Sequence, residues 1–223
     1  MTRILAIRPE PGLCATLEAG REVGLHIVGH PLFEIRPLDW NAPDPADFDA
    51  LLIGSANAFR HGGANLALYL DKAVHVVGRA TENAAREAGF AVASVGTGGL
   101  QNVLDAIEAP LRLLRIAGAE HVPLDPPHGV MIKTVIAYES VALPLDPQLL
   151  GIDEPTIVLL HSAVAAQHFA AECERLGLDR SAIAIAALGP RIASAAGKGW
   201  RAIHVSPRVE DAALLAMVRG LCH

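Results

Sequence analysis

The sequence predicts an α/β protein with two similar open-sheet domains. Its strands are continuous apolar runs, such as AIAIAAL at 182–188, which are typical of parallel strands covered on both faces. Glycine, serine or threonine follows where a strand gives way to a helix. The two halves of the chain also resemble each other. These observations predict ligand-binding potential at the carboxyl ends of the strands in each domain.

Length and composition describe a soluble globular protein. The 223 residues suit one large domain or two smaller ones, and 52% hydrophobic with 19% charged residues excludes a disordered chain. The net charge of −6 argues against nucleic acid as the main partner, because phosphate binding needs a basic face. The longest stretch without a charged residue, 155–171, contains His161, Ser162 and His168, which argues against a membrane span.

The N-terminus and the cysteines indicate a cytoplasmic location. Residues 1–12 carry two arginines and a Pro-Gly break, so they do not resemble a signal peptide. The cysteines are few, odd in number and far apart, which fits neither a disulfide framework nor a zinc site. They are Cys14, Cys173 and Cys222.

The first half of the chain alternates predicted strands and helices. The strands are expected at 3–8, at 26–36 with an interruption at Gly29 and Pro31, and at 50–53, 73–77 and 91–95. Helices are expected at 13–24, from about 56, at 81–88, and after the glycine-rich turn 96–99 up to about 108. The Pro- and Asp-rich segment 37–49 is predicted to be a connection.

The second half begins with a strand at 112–116. Its follow-on, 118–129, holds three prolines and leaves little room for a full helix. A strand rich in β-branched residues, IKTVIAYES, is predicted at 132–140, and a loop at 144–155. The remaining strands are expected at 156–160, 183–188 and 201–205, with a final helix ending at Leu221.

An internal repeat relates the two halves. LLIGSANAF at 51–59 parallels VLLHSAVAA at 158–166, which matches Ser55 with Ser162. VGRATENAAREAGF at 77–90 parallels LGPRIASAAGKGW at 188–200, and RILAIRP at 3–9 parallels RLLRIAG at 112–118. Every offset is about 110 residues, so the repeat alone predicts two domains of that size.

The strand ends are candidate anion sites. A helix N-terminus leaves backbone N–H groups unpaired and carries partial positive charge, so a carboxylate or phosphate binds there readily. The candidates are Ser55, Ala56, Asn57, Thr81, Ser162, Gly189, Pro190, Arg191 and Ile192. Basic residues near strand ends are Arg8, Arg79, Arg191 and Lys198. The alternative is that the hydroxyls cap their own helices and the cations are solvated surface charges. The ligand that such a set implies is large and bears several negative charges.

Other chemistries are disfavoured by the motifs. Neither GxxxxGK[ST] nor a GxGxxG directly after a strand occurs, so nucleotide binding is not expected. His26 and His30 are four apart, but Gly29 argues against the helix that would join them on one metal. His161 beside Ser162 lacks a GxSxG elbow, and adjacent strand residues point to opposite faces.

The order and spacing of five motifs resemble uroporphyrinogen-III synthase. They are RP at 8–9, SAN at 55–57, VGRATENAAREAGF at 77–90, AYES at 137–140 and GPRIASAA at 189–196. The resemblance covers nearly the whole chain. It implies two flavodoxin-like α/β domains joined by a two-stranded linker, with the active site in the interdomain cleft. The implied first domain is 1–34 with 143–223, the second is 38–131, and the linker strands are 33–37 and 132–141. The repeats would then not be the domains.

The resemblance also implies a reaction. The family consists of hydro-lyases of haem biosynthesis that cyclise hydroxymethylbilane, a linear polyanionic tetrapyrrole, with loss of water and inversion of the last pyrrole ring. No cofactor or metal is implied. The partner would be this small molecule rather than nucleic acid or a membrane, and the protein would be a monomer. Tyr138 stands at the family's tyrosine position and is the candidate general acid, although spacing alone suits a packed strand aromatic. Thr81 matches a family position at the cleft.

Three departures from the family pattern limit what the resemblance implies. Val164 stands where a second serine is frequent, Ile192 where a threonine is common, and the segment after Gly118 is too short for the usual helix. The hydroxyls missing at Val164 and Ile192 favour an alternative, a non-catalytic two-domain protein that binds a polyanionic metabolite.

Overall fold

The structure, a computed structural model, describes residues 2–150 and 155–222. The strands are β1 (Arg3–Ala6), β2 (Ile27–Gly29), β3 (Phe33–Pro37), β4 (Ala50–Ile53), β5 (Ala73–Val77), β6 (Val92–Gly96), β7 (Leu111–Gly118), β8 (Val130–Ala142), β9 (Thr156–Leu160), β10 (Ile183–Ala187) and β11 (Ala202–Val205). The α-helices are α1 (Gly12–Glu22), α2 (Ala56–His61), α3 (Arg79–Glu87), α4 (Leu100–Asp105), α5 (Ala163–Arg175), α6 (Pro190–Ala195) and α7 (Asp211–Leu221). The predicted α/β class is confirmed.

Glycines set one end of each of two helices, α2 and α3. α2 ends at His61, since two glycines follow and Gly63 adopts a left-handed φ of +69° before a 3₁₀ helix over Ala64–Tyr69. α3 begins at Arg79, two residues earlier than expected, directly after Gly78 with φ +76°.

The connection between β7 and β8 contains no helix, as its three prolines predict. Residues 119–129, all of them described, form neither helix nor strand. β8 is longer than the predicted 132–140. The predicted loop at 144–155 includes a 3₁₀ turn at Pro147–Leu149, and its residues 151–154 lie outside the described ones.

The chain divides into two compact units with one sheet in each. The first unit comprises Met1–Glu34 and Val141–His223, and the second comprises Ile35–Ser140. The unit boundaries fall within β3 and β8, which are neighbours in one sheet. The sequence repeat therefore does not coincide with the compact units, because the first unit takes segments from both ends of the chain.

The sheet of the first unit has the order β11-β10-β9-β1-β2, and its paired strands are parallel. Successive side chains point to opposite faces. Leu5 and Val158 pack in one core with α5, whereas Ile4 and Ile157 pack in another with α1 and α7. Both faces are covered, as continuous apolar strands predict.

The sheet of the second unit has the order β3-β8-β7-β4-β5-β6. The strands from β8 to β6 pair in parallel. Leu51 and Ile53 pack with α2 and α3 on one face, and Leu52 packs with α4 on the other. The carboxyl ends of the parallel strands therefore meet at one edge. In the described residues, no helix is long and apolar enough to cross a membrane.

Candidate active site

Tyr138 lies over a glycine of the neighbouring strand. The parallel register of β7 and β8 shifts between Ala117 and Gly118, opposite Tyr138. A Cβ at Gly118 would lie 2.6 Å from Cε2 of Tyr138, so the ring occupies space that any other residue at 118 would fill. The ring is half-buried and packs against the core of the second unit. Gly118 thus fixes where the phenol ring lies.

A pocket of about 450 Å³ opens at the carboxyl ends of β4 and β7. Ser55 and Tyr138, both predicted site residues, line it together. The glycine turn before α4 and the segment after β7 complete the wall. The polar side chains at the wall are Ser55, Gln101, Arg115, Glu120, His121 and Tyr138. This arrangement suits a polar ligand at the predicted edge of the sheet.

Arg115 is a cation buried beside this pocket. It is 6% exposed, and its Nη2 donates a hydrogen bond to the carbonyl oxygen of Val122 at 2.9 Å. Burial lowers the pKa of the Arg115 guanidinium, and the nearby Tyr138 oxygen partly opposes that effect. His121 Nδ1 lies 3.0 Å from the carbonyl oxygen of Gly118. Both contacts hold the segment after β7 against the strand end.

The other predicted residues of the second unit surround the start of α2 and α3. Ser55 Oγ accepts a hydrogen bond from Asn57 N at 3.2 Å, so this serine caps α2. Ala56 and Thr81 are buried. Ser55 therefore joins Tyr138 in the pocket lining, whereas Ala56, Asn57 and Thr81 are not part of it.

The predicted residues of the first unit surround the start of α5 and α6. Ser162 Oγ accepts from Ala165 N at 3.1 Å and caps α5, with φ of −145° against −146° at Ser55. Both serines of the repeat are therefore helix N-caps, although Ser55 accepts from the residue two positions later and Ser162 from the residue three positions later. At α6, Gly189 is the buried N-cap, Pro190 begins the helix, Arg191 is exposed and Ile192 packs against the core.

Arg8 belongs to a polar cluster in the first unit. Its Nη1 donates to Asp211 Oδ2 at 2.8 Å and to Thr16 Oγ1 at 3.1 Å. His161 Nε2 lies 3.1 Å from Asp211 Oδ1, within ion-pair distance but outside hydrogen-bonding alignment, so neither ring nitrogen of His161 makes a hydrogen bond among the described residues. Burial would raise the pKa of Asp211, but its contacts with His161, Thr16 and Arg8 outweigh that effect and lower it to about 2. The Arg8 guanidinium is therefore already engaged by a carboxylate.

A larger hollow lies away from these residues. It measures about 700 Å³ and is bordered by Thr2, Val23, His26 and Cys222 at the amino end of β1. None of the predicted site residues lines it. Size alone therefore does not mark the site.

Sequence reasoning missed Arg115, His121, Thr16 and Asp211. Arg115 carried a usable signal, because it is a charged residue inside the apolar run RLLRI at 112–116. A charge within a strand covered on both faces needs a reason to be there. Thr16 and Asp211 carried no signal, since their contact joins residues 195 positions apart.

The parallel sheets and the polar strand-end pocket define the class of protein: a two-unit α/β protein suited to binding or transforming a small polar molecule. Comparison with known families gives the particular family. Residues 15–216 match the family model described as uroporphyrinogen-III synthase HemD. The chain belongs to the uroporphyrinogen-III synthase family, whose members are lyases of tetrapyrrole biosynthesis, and the resemblance of its motifs is confirmed.

Solved structures share the fold. Uroporphyrinogen-III synthetase from Helicobacter pylori aligns with a TM-score of 0.67 at 16% identity, covering 99% of this chain and 100% of that one. A mutant uroporphyrinogen III synthase from Thermus thermophilus aligns with a TM-score of 0.53 at 15% identity, covering 100% and 99% of the two chains. No curated protein matches the chain.

Proposed function

We propose that the chain converts hydroxymethylbilane into uroporphyrinogen III, with loss of water and inversion of the last pyrrole ring. The observation that carries the proposal is the family match over 15–216, within which the tyrosine of the AYES motif lines a polar pocket. The substrate is a small polyanion, which suits helix N-termini at strand ends and the buried cation Arg115.

In the proposed mechanism Tyr138 is the general acid. Hydroxide is a poor leaving group unless a proton reaches it as the carbon–oxygen bond breaks, and a neutral phenol donates such a proton. Gly118 holds the phenol ring of Tyr138 in place. The walls of the pocket hold the linear tetrapyrrole so that closure with inversion of the last pyrrole is faster than spontaneous closure without it. The phenolate that forms is then reprotonated from solvent.

Substrate binding is proposed for the strand-end residues of both units. The set comprises Arg8, Ser55, Ala56, Asn57, Thr81, Ser162, Gly189, Pro190, Arg191 and Ile192. Backbone N–H groups supply most of this binding, so the hydroxyls absent at Val164 and Ile192 are not essential. Segments 33–37 and 132–141 are proposed as linker strands between domains 1–34 with 143–223 and 38–131, with the substrate contacting both domains. A monomer acting in the cytoplasm belongs to the same proposal.

The test of the reaction is the isomer that forms. Freshly made hydroxymethylbilane is supplied to the purified chain, and the oxidised products are resolved chromatographically. The type III isomer is expected in excess over the type I isomer of uncatalysed closure. Type I alone, together with measurable binding of the substrate, would establish the non-catalytic binding protein instead.

The test of the general acid is Tyr138→Phe. This change removes only the hydroxyl, so the rate of type III formation should fall at least tenfold, a loss of about 1.4 kcal/mol of transition-state stabilisation. The matched control is Tyr69→Phe. Tyr69 is fully buried and donates to the carbonyl oxygen of Pro43 at 2.6 Å, so its loss should cost about 1 kcal/mol of stability without altering turnover of the folded protein. Equal turnover in wild type and Tyr138→Phe would refute the general-acid role of Tyr138.

A further inference from the structure

Arg115 is a buried cation without an acidic partner. It is 6% exposed, and its single hydrogen bond within the described residues goes to a backbone carbonyl, that of Val122. The other arginine of β7, Arg112, makes a hydrogen-bonded ion pair with Asp49 at 2.9 Å and is exposed. Buried charges in proteins are normally paired or bind a ligand.

Arg115 lines the pocket and keeps free donors. Nε and Nη1 of Arg115 make no hydrogen bond among the described residues. In that part of the chain, only His161 has side-chain polar atoms that are both fully buried and without a partner, so Nε and Nη1 of Arg115 retain some exposure. Glu120 lines the same pocket but is exposed and forms no ion pair with Arg115 in the described part of the chain.

We propose that Arg115 binds one carboxylate of the substrate in the pocket that it shares with Tyr138 and Ser55. A guanidinium offers a planar pair of N–H donors that matches a carboxylate bidentately. The hydrogen bond from Nη2 to Val122 fixes the plane of the guanidinium and uses one of the two Nη2 hydrogens. The second Nη2 hydrogen, with an adjacent N–H, can still face a carboxylate as a pair of donors. The ion pair between Arg115 and the substrate carboxylate then positions the substrate beside the phenol of Tyr138. The inference rests on the proposed function, since it takes its ligand from that reaction.

A purely structural role makes a different prediction. If Arg115 served only to hold the carbonyl of Val122, its replacement by an apolar residue of similar length would destabilise the fold. If it is a ligand site, Arg115→Met removes a buried charge that has no ion-pair partner, and the melting temperature stays level or rises. The ligand-free protein thus separates the two roles before any substrate is added.

The deciding experiment measures affinity for uroporphyrinogen III, the product, by calorimetry under argon. Arg115→Met should weaken binding about 10- to 100-fold, the loss of a charge-assisted, bidentate contact. Arg115→Lys keeps the charge but not the fork, so it should lose only part of that affinity; it also keeps the test valid should the methionine variant fold poorly. The control is Arg112→Met, which removes an arginine from the same strand and should bind as the wild type does.

The outcomes separate the inference from the function. Wild-type affinity in folded Arg115→Met or Arg115→Lys, or no binding by the wild type, overturns the carboxylate site. If the wild type then still forms the type III isomer, the proposed function stands without it. Arg115-dependent binding with no type III isomer supports the site and refutes the reaction.

Discussion

Gly118→Ala tests whether the position of the Tyr138 ring matters for turnover. The added Cβ would lie 2.6 Å from Cε2, 3.0 Å from Cζ and 3.2 Å from Cδ2 of Tyr138. Carbon atoms in contact prefer about 3.5–4.0 Å, so the ring must retreat by roughly 1 Å. Because the backbone of residue 118 is held in β7, the ring moves rather than the strand.

The expected magnitude follows from that displacement. A misplacement of about 1 Å at a reacting group costs as much as 100-fold in rate, equivalent to about 2.7 kcal/mol. Overpacking costs about 1–3 kcal/mol of stability, which lowers the melting temperature of a chain of this length by a few degrees. Turnover should therefore fall by more than the folded fraction does.

The assay compares type III formation and the melting temperature in Gly118→Ala and in a control, Gly220→Ala. A Cβ at Gly220, in α7, would meet nothing within 4 Å, so alanine there should leave turnover unchanged and raise stability by up to about 1 kcal/mol. Full turnover in folded Gly118→Ala would refute the reasoning that the ring position is fixed by the glycine.

The serine caps of α2 and α5 and the carboxylate of Asp211 lead to further predictions about stability. Ser55→Ala and Ser162→Ala each remove a helix cap and should lower the free energy of unfolding by about 1 kcal/mol in chemical denaturation, whereas Ser162→Thr should retain most of it. The folded pKa of Asp211, about 2, lies below its ordinary value of 3.8, so its carboxylate stabilises the fold above about pH 4 and loses that effect as the pH falls towards 2. Because the Asp211 side chain is 29% exposed, its contribution to the free energy of unfolding is about 1–2 kcal/mol. Asp211→Asn should therefore flatten the acid denaturation profile between about pH 4 and pH 2. Parallel profiles for wild type and variant would contradict this role of Asp211.

Sequence patterns within a few residues predicted the strands, the helix-free connection and the helix caps, because these depend mainly on nearby residues. The apolar run at 182–188 predicted a strand covered on both faces, and Ile185 and Ala184 indeed pack on opposite sides of β10. The prolines after Gly118 predicted a connection without a helix. The serines at 55 and 162 were expected either to cap helices or to bind anions, and capping is observed at both.

Side-chain partnerships over long sequence separations could not be predicted. The register shift that brings Gly118 beneath Tyr138 depends on how two strands pair, which no single strand encodes. The ion pair of Arg8 with Asp211 joins residues 203 positions apart, so Arg8 could not be distinguished from a solvated surface charge. The repeat likewise misled as to the compact units, because similar segments need not fold beside their sequence neighbours.

The parallel pairing of β1 with β9 has a consequence for synthesis on the ribosome. β1 is flanked by β2 and β9, and β9, which begins at Thr156, is translated about 150 residues after β1. The second unit is continuous over Ile35–Ser140, so all of its residues are translated before β9 is. Nascent β1 can pair with β2 early, but its side towards β9 stays an unpaired apolar edge for most of elongation. A chain that ends between Ser140 and Thr156 has the whole second unit, but its β1 strand has only β2 to pair with.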